Sequence, residues 1–166
     1  MSYKNKTYVI FDGDEDMWAY GFMKGWKNND NIDFNFFDAH DLKPLTENAS
    51  EETIKQRLRE RFSNAKQVVV LIGEKTKNLY RFVRWELDTA LRLDLPIVAV
   101  NLNNERKMDP DRCPPIIRDT YTVHVSFKLK IIKYALDNFP SEFHKRNVND
   151  GGNRIYNDSV YEGLGL

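Results

Sequence analysis

The chain has 166 residues, enough for one domain with its own hydrophobic core. Its 25 basic and 25 acidic residues cancel, so the net charge predicts no surface for nucleic acid or an anionic membrane. The apolar runs are too short to span a membrane, and the single cysteine excludes an internal disulfide and a cysteine-based zinc site. Because the first residues also lack a signal-peptide pattern, we expect a cytoplasmic protein. The three histidines, His40, His124 and His144, are scattered along the chain and do not support a metal site, so we predict none.

Five short apolar runs alternate with segments of helical periodicity. In chain order, the runs predict strands at residues 7–12, 34–38, 67–73, 96–102 and 122–126. The helical segments are residues 17–26, 50–62, 81–91 and 127–139, with Ser50 as an N-cap. This alternation predicts an α/β fold of the flavodoxin-like type, with a five-stranded parallel sheet in the order 2-1-3-4-5 and helices on both faces.

The end of the chain differs from the rest. Residues 141–166 contain two adjacent glycines and isolated tyrosines, without a usable period. We therefore assign residues 1–140 to the domain and residues 141–166 to a C-terminal tail, which packs on or extends the same domain.

Glu86 lies on the apolar side of its predicted helix. At 100° per residue, Val83, Leu87 and Ala90 form one stripe, and Glu86 falls inside it while Asp88 faces outward. A carboxylate in this position is either a half-buried group paired with a cation or a catalytic group facing a crevice. The first helical turns favour a negative charge, which is compatible with both interpretations.

A ligand of such a sheet binds beyond the carboxyl ends of its strands, where the winding reverses between strands one and three. Phe11 and Asp12 follow strand one, and Asp38 ends strand two, so all three are candidates for this crevice. Asp14 and Asp16 are expected to form a turn and cap the first helix. No dinucleotide-binding, phosphate-loop or nucleophile-elbow motif is present.

Four short motifs occur in order along the first two thirds of the chain. They are Phe11-Asp12, Phe37-Asp38-Ala39, the segment 70–73 with the sequence VLIG, and the segment 82–86 with the sequence FVRWE. Together they resemble the TIR-like domains of bacterial anti-phage defence, in particular the ThsB proteins of the Thoeris system, over residues 6–102. The chain departs from the expected pattern at its acidic loop DGDED after strand one.

The resemblance implies an enzyme that cleaves the nicotinamide–ribose bond of NAD with a glutamate, which corresponds to Glu86. We assign Phe11 and Asp12 to the ribose and nicotinamide side of the site, Asp38 to the adjoining wall, and Trp85 to support of the helix start. NAD is then the substrate and no separate cofactor is expected. The product is an ADP-ribose derivative, whether linear, cyclic or conjugated, which signals to a downstream effector protein.

The chemistry of this bond agrees with a single carboxylate. Ordinary glycosidases use two, because the leaving oxygen must be protonated. Nicotinamide leaves NAD as a neutral molecule and needs no acid, so one carboxylate that stabilises the oxocarbenium-like charge is sufficient.

Two alternatives remain open from the sequence. A nucleoside deoxyribosyltransferase-like enzyme would use Glu86 as a nucleophile at an anomeric carbon. A non-enzymatic TIR module would act by self-association, with Glu86 structural. A homo-oligomer is also a candidate for the enzyme, because the long polar segment 40–48 could complete a neighbouring subunit's site.

Overall fold

A computed structural model describes residues 6–32, 34, 37–38, 50–79, 81–147 and 149–166. The strands are β1 (Lys6–Ile10), β2 (Phe37–Asp38), β3 (Gln67–Ile72), β4 (Ile97–Asn101), β5 (Val123–Ser126) and β6 (Arg154–Ile155). The α-helices are α1 (Met17–Asn28), α2 (Glu51–Phe62), α3 (Phe82–Arg92), α4 (Leu129–His144) and α5 (Asp158–Gly163). Two short 3₁₀ turns, Thr76–Asn78 and Pro115–Ile117, lie in the loops.

All described strands pair in parallel, in the order β2-β1-β3-β4-β5-β6. The predicted α/β flavodoxin-like fold and the order of its first five strands are confirmed. The sixth strand, only two residues long, comes from the tail and extends the sheet beside β5. The direction in which successive strands are added to the sheet reverses between β1 and β3. The topological switch point therefore lies where the sequence predicted it.

The helices cover both faces of the sheet. On one face α1 and α4 pack over side chains such as Val9, Leu71 and Val100. On the other face α2 and α3 pack over alternate residues of the same strands, including Ile10 and Val70. Every residue of β3 is buried, as expected for a continuous apolar strand between two helical layers.

Helix α2 begins directly after the N-cap residue predicted from the sequence. The Ser50 hydroxyl accepts a hydrogen bond from the Thr53 backbone N–H at 3.2 Å, which confirms the predicted N-cap. Ile54, Leu58 and Phe62 are at most 1% exposed and fix α2 against the sheet.

Among the element ends that differ from the predicted bounds, two have a clear structural cause. The first strand ends at Ile10 rather than at Asp12, because the Asp12 carboxylate accepts the N–H groups of Asp14 and Glu15 and closes a turn. Helix α4 continues past Pro140, since Phe143 in its next turn still packs into the core.

The tail contributes structure of its own. In α5, Tyr161 is fully buried, and its hydroxyl accepts the Ser126 N–H at 3.3 Å at the end of β5. The Arg106 guanidinium lies 4.1 Å from the centre of the Tyr161 ring. None of the helices in the described ranges is long and apolar enough to cross a membrane.

Candidate active site

Glu86 lies in the second turn of α3 and is only 8% exposed. Val83 and Leu87, on the same side of the helix, are packed in the core between α2, α3 and the sheet. The inward orientation expected from the helical period is therefore observed. The carboxylate enters an apolar layer rather than the solvent.

Tyr8 of β1 is the direct partner of this carboxyl group. Its hydroxyl interacts electrostatically with Glu86 and with Arg61, which comes from the last turn of α2. The Tyr8 ring is fully buried and stacks on Phe62 with ring centres 4.1 Å apart. One strand and two helices thus bring three polar groups together: the Arg61 guanidinium, the Tyr8 hydroxyl and the Glu86 carboxyl group.

Burial controls the protonation of this group. Removal from water raises the pKa of Glu86 to about 7, against the smaller lowering effects of the Tyr8 hydroxyl and the Arg61 charge. Burial, together with the negative charge of Glu86, raises the pKa of Tyr8. Near neutral pH, Glu86 therefore exists in both its ionised and its protonated form, which is typical of acid and base groups in active sites.

Sequence reasoning missed Tyr8 and Arg61. A signal for Tyr8 was present, because a tyrosine within a buried strand needs a partner for its hydroxyl, and Glu86 was the one inward-facing acid of α3. Arg61 lies in the last turn of α2. A positive charge is favourable near a helix C-terminus whether or not it contacts another residue, so the position of Arg61 in the sequence does not indicate a contact with Glu86. Only the packing of α2 on β1 shows that link.

Trp85 lies beside Glu86 and connects α3 to its surroundings. Its ring packs edge-on against Phe82, with ring centres 6.2 Å apart. The Lys55 ammonium of α2 is 5.3 Å from the ring centre, and the Arg81 guanidinium is 5.6 Å away. These contacts hold the start of α3 against α2.

Phe11 and Asp12 lie at the carboxyl end of β1. Phe11 stacks on Tyr20 of α1 with ring centres 4.7 Å apart, so it packs on the face of the sheet opposite to α3. Asp12 is 4% exposed, and its carboxylate accepts the two backbone N–H groups of the turn that precedes α1. The structure thus brings both residues to the switch point but directs the Phe11 ring away from the Glu86 layer.

Asp38 ends β2, and its backbone lies in register with Thr7 of β1. Its side chain and the segment 40–48 are outside the described residues. Their assignments therefore remain predictions.

A second buried acid, Asp16, lies at the switch point. It occupies the N-cap position of α1, but its side chain makes no capping hydrogen bond. Instead, Oδ2 accepts a hydrogen bond from the Thr76 hydroxyl at 3.4 Å, and the carboxylate fills the space that a side chain at Gly73 would need. Burial and the nearby Asp12 charge raise the pKa of Asp16. Its role is to hold the loop after β1 against the loop after β3.

In the part of the chain that the structure describes, no group of three or more His, Cys, Asp or Glu side chains could hold a metal ion.

Comparison with protein families gives a match over residues 3–107 to the family described as Thoeris protein ThsB, TIR-like domain. The matched region covers more than half of the chain and includes β1 to β4 together with Glu86. It also contains all four motifs on which the sequence resemblance was based.

Proposed function

Because the chain belongs to the family of TIR-like domains of Thoeris protein ThsB, we propose that it is an NAD-processing enzyme of anti-phage defence with Glu86 as its catalytic residue. One observation carries the proposal: a single inward-facing glutamate of α3, 8% exposed, lies beside the Tyr8 hydroxyl, and burial raises its pKa to about 7. Such a group is expected where a developing positive charge must be stabilised at physiological pH.

The proposed reaction breaks the bond between C1′ of the ribose and the pyridinium nitrogen. The bonding electron pair leaves with nicotinamide, which becomes neutral, so no proton donor is required. The ionised Glu86 carboxylate stabilises the positive charge left on the ribose. Water then adds to C1′ and releases a proton, or a nucleophile of the adenosine part or of a second molecule closes a cyclic or conjugated product.

Tyr8 and Arg61 would keep enough Glu86 ionised for this role. Both lower the pKa of a carboxyl group that burial alone would raise further. The surrounding apolar layer strengthens the attraction between the carboxylate and the developing charge, because its dielectric constant is low.

The remaining assignments extend the proposal to the substrate. Asp12 and the backbone of Phe11 would line the ribose and nicotinamide side, since the Phe11 ring packs on α1. Asp38 would form the adjoining wall, and Trp85 would support the helix that carries Glu86. NAD is the substrate rather than a bound cofactor, and the ADP-ribose-derived product would signal to a separate effector protein.

Nicotinamide release from NAD by the purified chain tests the proposal. Glu86→Gln keeps the volume and the polarity of the side chain but removes the charge, so turnover should fall by about 10²- to 10³-fold. Asp88→Asn is a matched control, since this acid lies two residues further along α3 and pairs with Arg92 at 2.8 Å on the outer side. Wild-type turnover in Glu86→Gln would show that Glu86 is not the catalytic group.

The same variants separate the alternatives. Exchange of bases between a deoxynucleoside and a free base, lost in Glu86→Gln, would indicate a transferase rather than an NAD enzyme. A wild-type chain that turns over neither compound would indicate a non-enzymatic module with a structural Glu86. The mass of the product formed from NAD distinguishes linear, cyclic and conjugated ADP-ribose.

A further inference from the structure

The ring of Trp85, the residue before Glu86, has two positively charged side chains near it. The Lys55 ammonium, from the second turn of α2, is 5.3 Å from the ring centre, and the Arg81 guanidinium, at the start of α3, is 5.6 Å away. Both helices begin at the carboxyl edge of the parallel sheet, where a ligand of this fold binds. The two cations therefore lie at the opening of the proposed site.

The positive charge at the start of α3 is unfavourable for the helix itself. Arg81 occupies the N-cap position and Arg84 lies in the first turn, which contains no acid. Cations near a helix N-terminus oppose the helix dipole. In contrast, α2 begins with Glu51 and Glu52, whose charges are favourable at such an end. Recognition of an anion is a reason for the cations at the start of α3.

The other side of the crevice is acidic. Helix α1 packs on one face of the sheet and α3 on the other, so the loop after β1 and the start of α3 lie across the switch point from each other. Asp12 and Asp14 lie in that loop, together with Glu15, which pairs with Lys75 at 3.3 Å. A ligand with one cationic and one anionic part is therefore best placed with its anionic part beside Trp85.

We propose that Lys55 and Arg81 bind the diphosphate of NAD next to Trp85. This inference rests on the proposed function and adds to it the orientation of the substrate. The pyridinium of NAD is positively charged and its diphosphate is negatively charged, so the two parts match the two sides of the crevice. The diphosphate is joined to the scissile ribose through the C5′ oxygen, and it therefore lies within one sugar of the reacting C1′ carbon at Glu86. Phosphate oxygens accept charge-assisted hydrogen bonds from ammonium and guanidinium groups.

Lys55 has a partner that the diphosphate would replace. Its ammonium lies 2.7 Å from the carboxylate of Glu51, one turn earlier in α2. Exposed ion pairs of this kind contribute little to stability, so a doubly charged diphosphate competes well for the lysine. Removal of the Glu51 charge should therefore strengthen diphosphate binding, whereas removal of the Lys55 charge should weaken it.

Binding of ADP-ribose to the full chain, measured by calorimetric titration, tests the site without any catalysis. ADP-ribose keeps the diphosphate and both sugars of NAD but lacks nicotinamide. Lys55→Gln and Arg81→Gln should each raise its dissociation constant by about 10- to 100-fold, whereas Lys55→Arg should retain most of the affinity. Glu51→Gln should lower the dissociation constant by up to about fivefold, because it frees Lys55. Arg57→Gln removes an exposed cation that lies about 200° from Lys55 around α2, and as the control it should bind like the wild type.

Two substrates separate this inference from the proposed activity. Nicotinamide riboside has the scissile bond but no phosphate, so the loss of kcat/KM in Lys55→Gln should be at least about tenfold larger for NAD than for the riboside. Glu86→Gln should lose cleavage of both compounds and still bind ADP-ribose.

The outcomes of the two measurements are distinct. If ADP-ribose binds equally to the wild type and Lys55→Gln, or does not bind the wild type at millimolar concentration, the diphosphate site is refuted even when NAD is cleaved. Binding that depends on Lys55 in a chain that leaves NAD intact would support the diphosphate site and refute the proposed activity.

Discussion

At the scale of single residues, Glu86 combines two properties that a purely structural carboxylate on a helix surface lacks. It is 8% exposed in an apolar layer, and its pKa is raised to about 7 because burial disfavours its charged form. A glutamate held in this way makes the folded state less stable when it ionises. A buried group that destabilises the folded state is a candidate for a functional role, because a neutral residue of the same size would make the fold more stable.

We expect Glu86→Gln to stabilise the protein at alkaline pH. The pKa of Glu86 is raised from 4.5 to about 7 on folding, so its favourable contribution is present below pH 4.5 and lost as pH rises through 7. This difference amounts to about 3 kcal/mol. Urea unfolding should therefore show the variant to be more stable than wild type at pH 8 and about equal to it at pH 4.5. A difference in stability that does not change with pH would contradict the assigned burial of the charge.

Tyr8→Phe should move the titration of Glu86 to higher pH. The tyrosine hydroxyl lowers the pKa of the carboxyl group, and phenylalanine keeps the ring that stacks on Phe62 while removing the hydroxyl. If the ionised form is the active one, NAD cleavage should rise with pH around 7 in the wild type and at higher pH in the variant. Tyr20→Phe, on the opposite face of the sheet, is the control and should leave the profile in place.

The pH dependence of stability provides a second measurement for Tyr8→Phe that does not depend on any enzymatic activity. The pH at the midpoint of this stability change should be higher than in the wild type, as should the pH at the midpoint of NAD cleavage. An unchanged midpoint in both would show that Tyr8 does not act on Glu86.

The sequence predicted the orientation of Glu86 but not its partners, for a physical reason. Inward orientation follows from the 3.6-residue period of a single helix, which is a local property. The contact of Glu86 with Tyr8 and Arg61 depends on how α3 and α2 pack on β1, which residue spacing within one element does not encode. Asp16 illustrates the same limit, since its position predicted a helix cap and its side chain instead contacts Thr76 across the switch point.

At the scale of elements, the loop after β3 depends on the missing side chain of Gly73. A Cβ atom there would lie well inside the contact distance of both Asp16 carboxylate oxygens, and Asp16 is itself buried. Gly73→Ala should therefore destabilise the fold by about 1–3 kcal/mol in urea unfolding. Gly13→Ala in the neighbouring loop meets no atom within 4 Å and should have little effect. Equal stability of the two variants would show that Asp16 can move freely.

The elements that the sequence predicted best are those whose burial is uniform. The strand β3 reads as a continuous apolar run because helices cover both of its faces. The end of β1 was predicted two residues too late, because Phe11 extends the apolar run up to Asp12, whereas the Asp12 side chain already closes a turn. The end of α4 was predicted too early, because Phe143 lies one turn beyond Phe139 and past a proline.

At the scale of the whole molecule, the matched TIR-like region ends at residue 107, before the sheet is complete. The strands β5 and β6 and the helix α4 lie beyond it, and α4 supplies much of the core on the α1 side of the sheet. The tail then packs on the same core through Tyr161. We therefore propose that residues 141–166 belong to the same cooperative unit as residues 1–140.

Removal of α5, by ending the chain at Asn157, tests whether the tail and the domain unfold as one cooperative unit. The deletion takes away the fully buried Tyr161, so we expect a loss of about 3–5 kcal/mol, as for other large buried side chains. The ion pair between Asp158 and Arg106 should contribute little, because Asp158 is 82% exposed, and Asp158→Ala is therefore the control. Tyr161→Ala in the full chain should reproduce most of the loss even if the shortened chain does not fold. One shared unfolding transition with a lower urea midpoint is expected, whereas an unchanged midpoint would show that the tail folds separately from the domain.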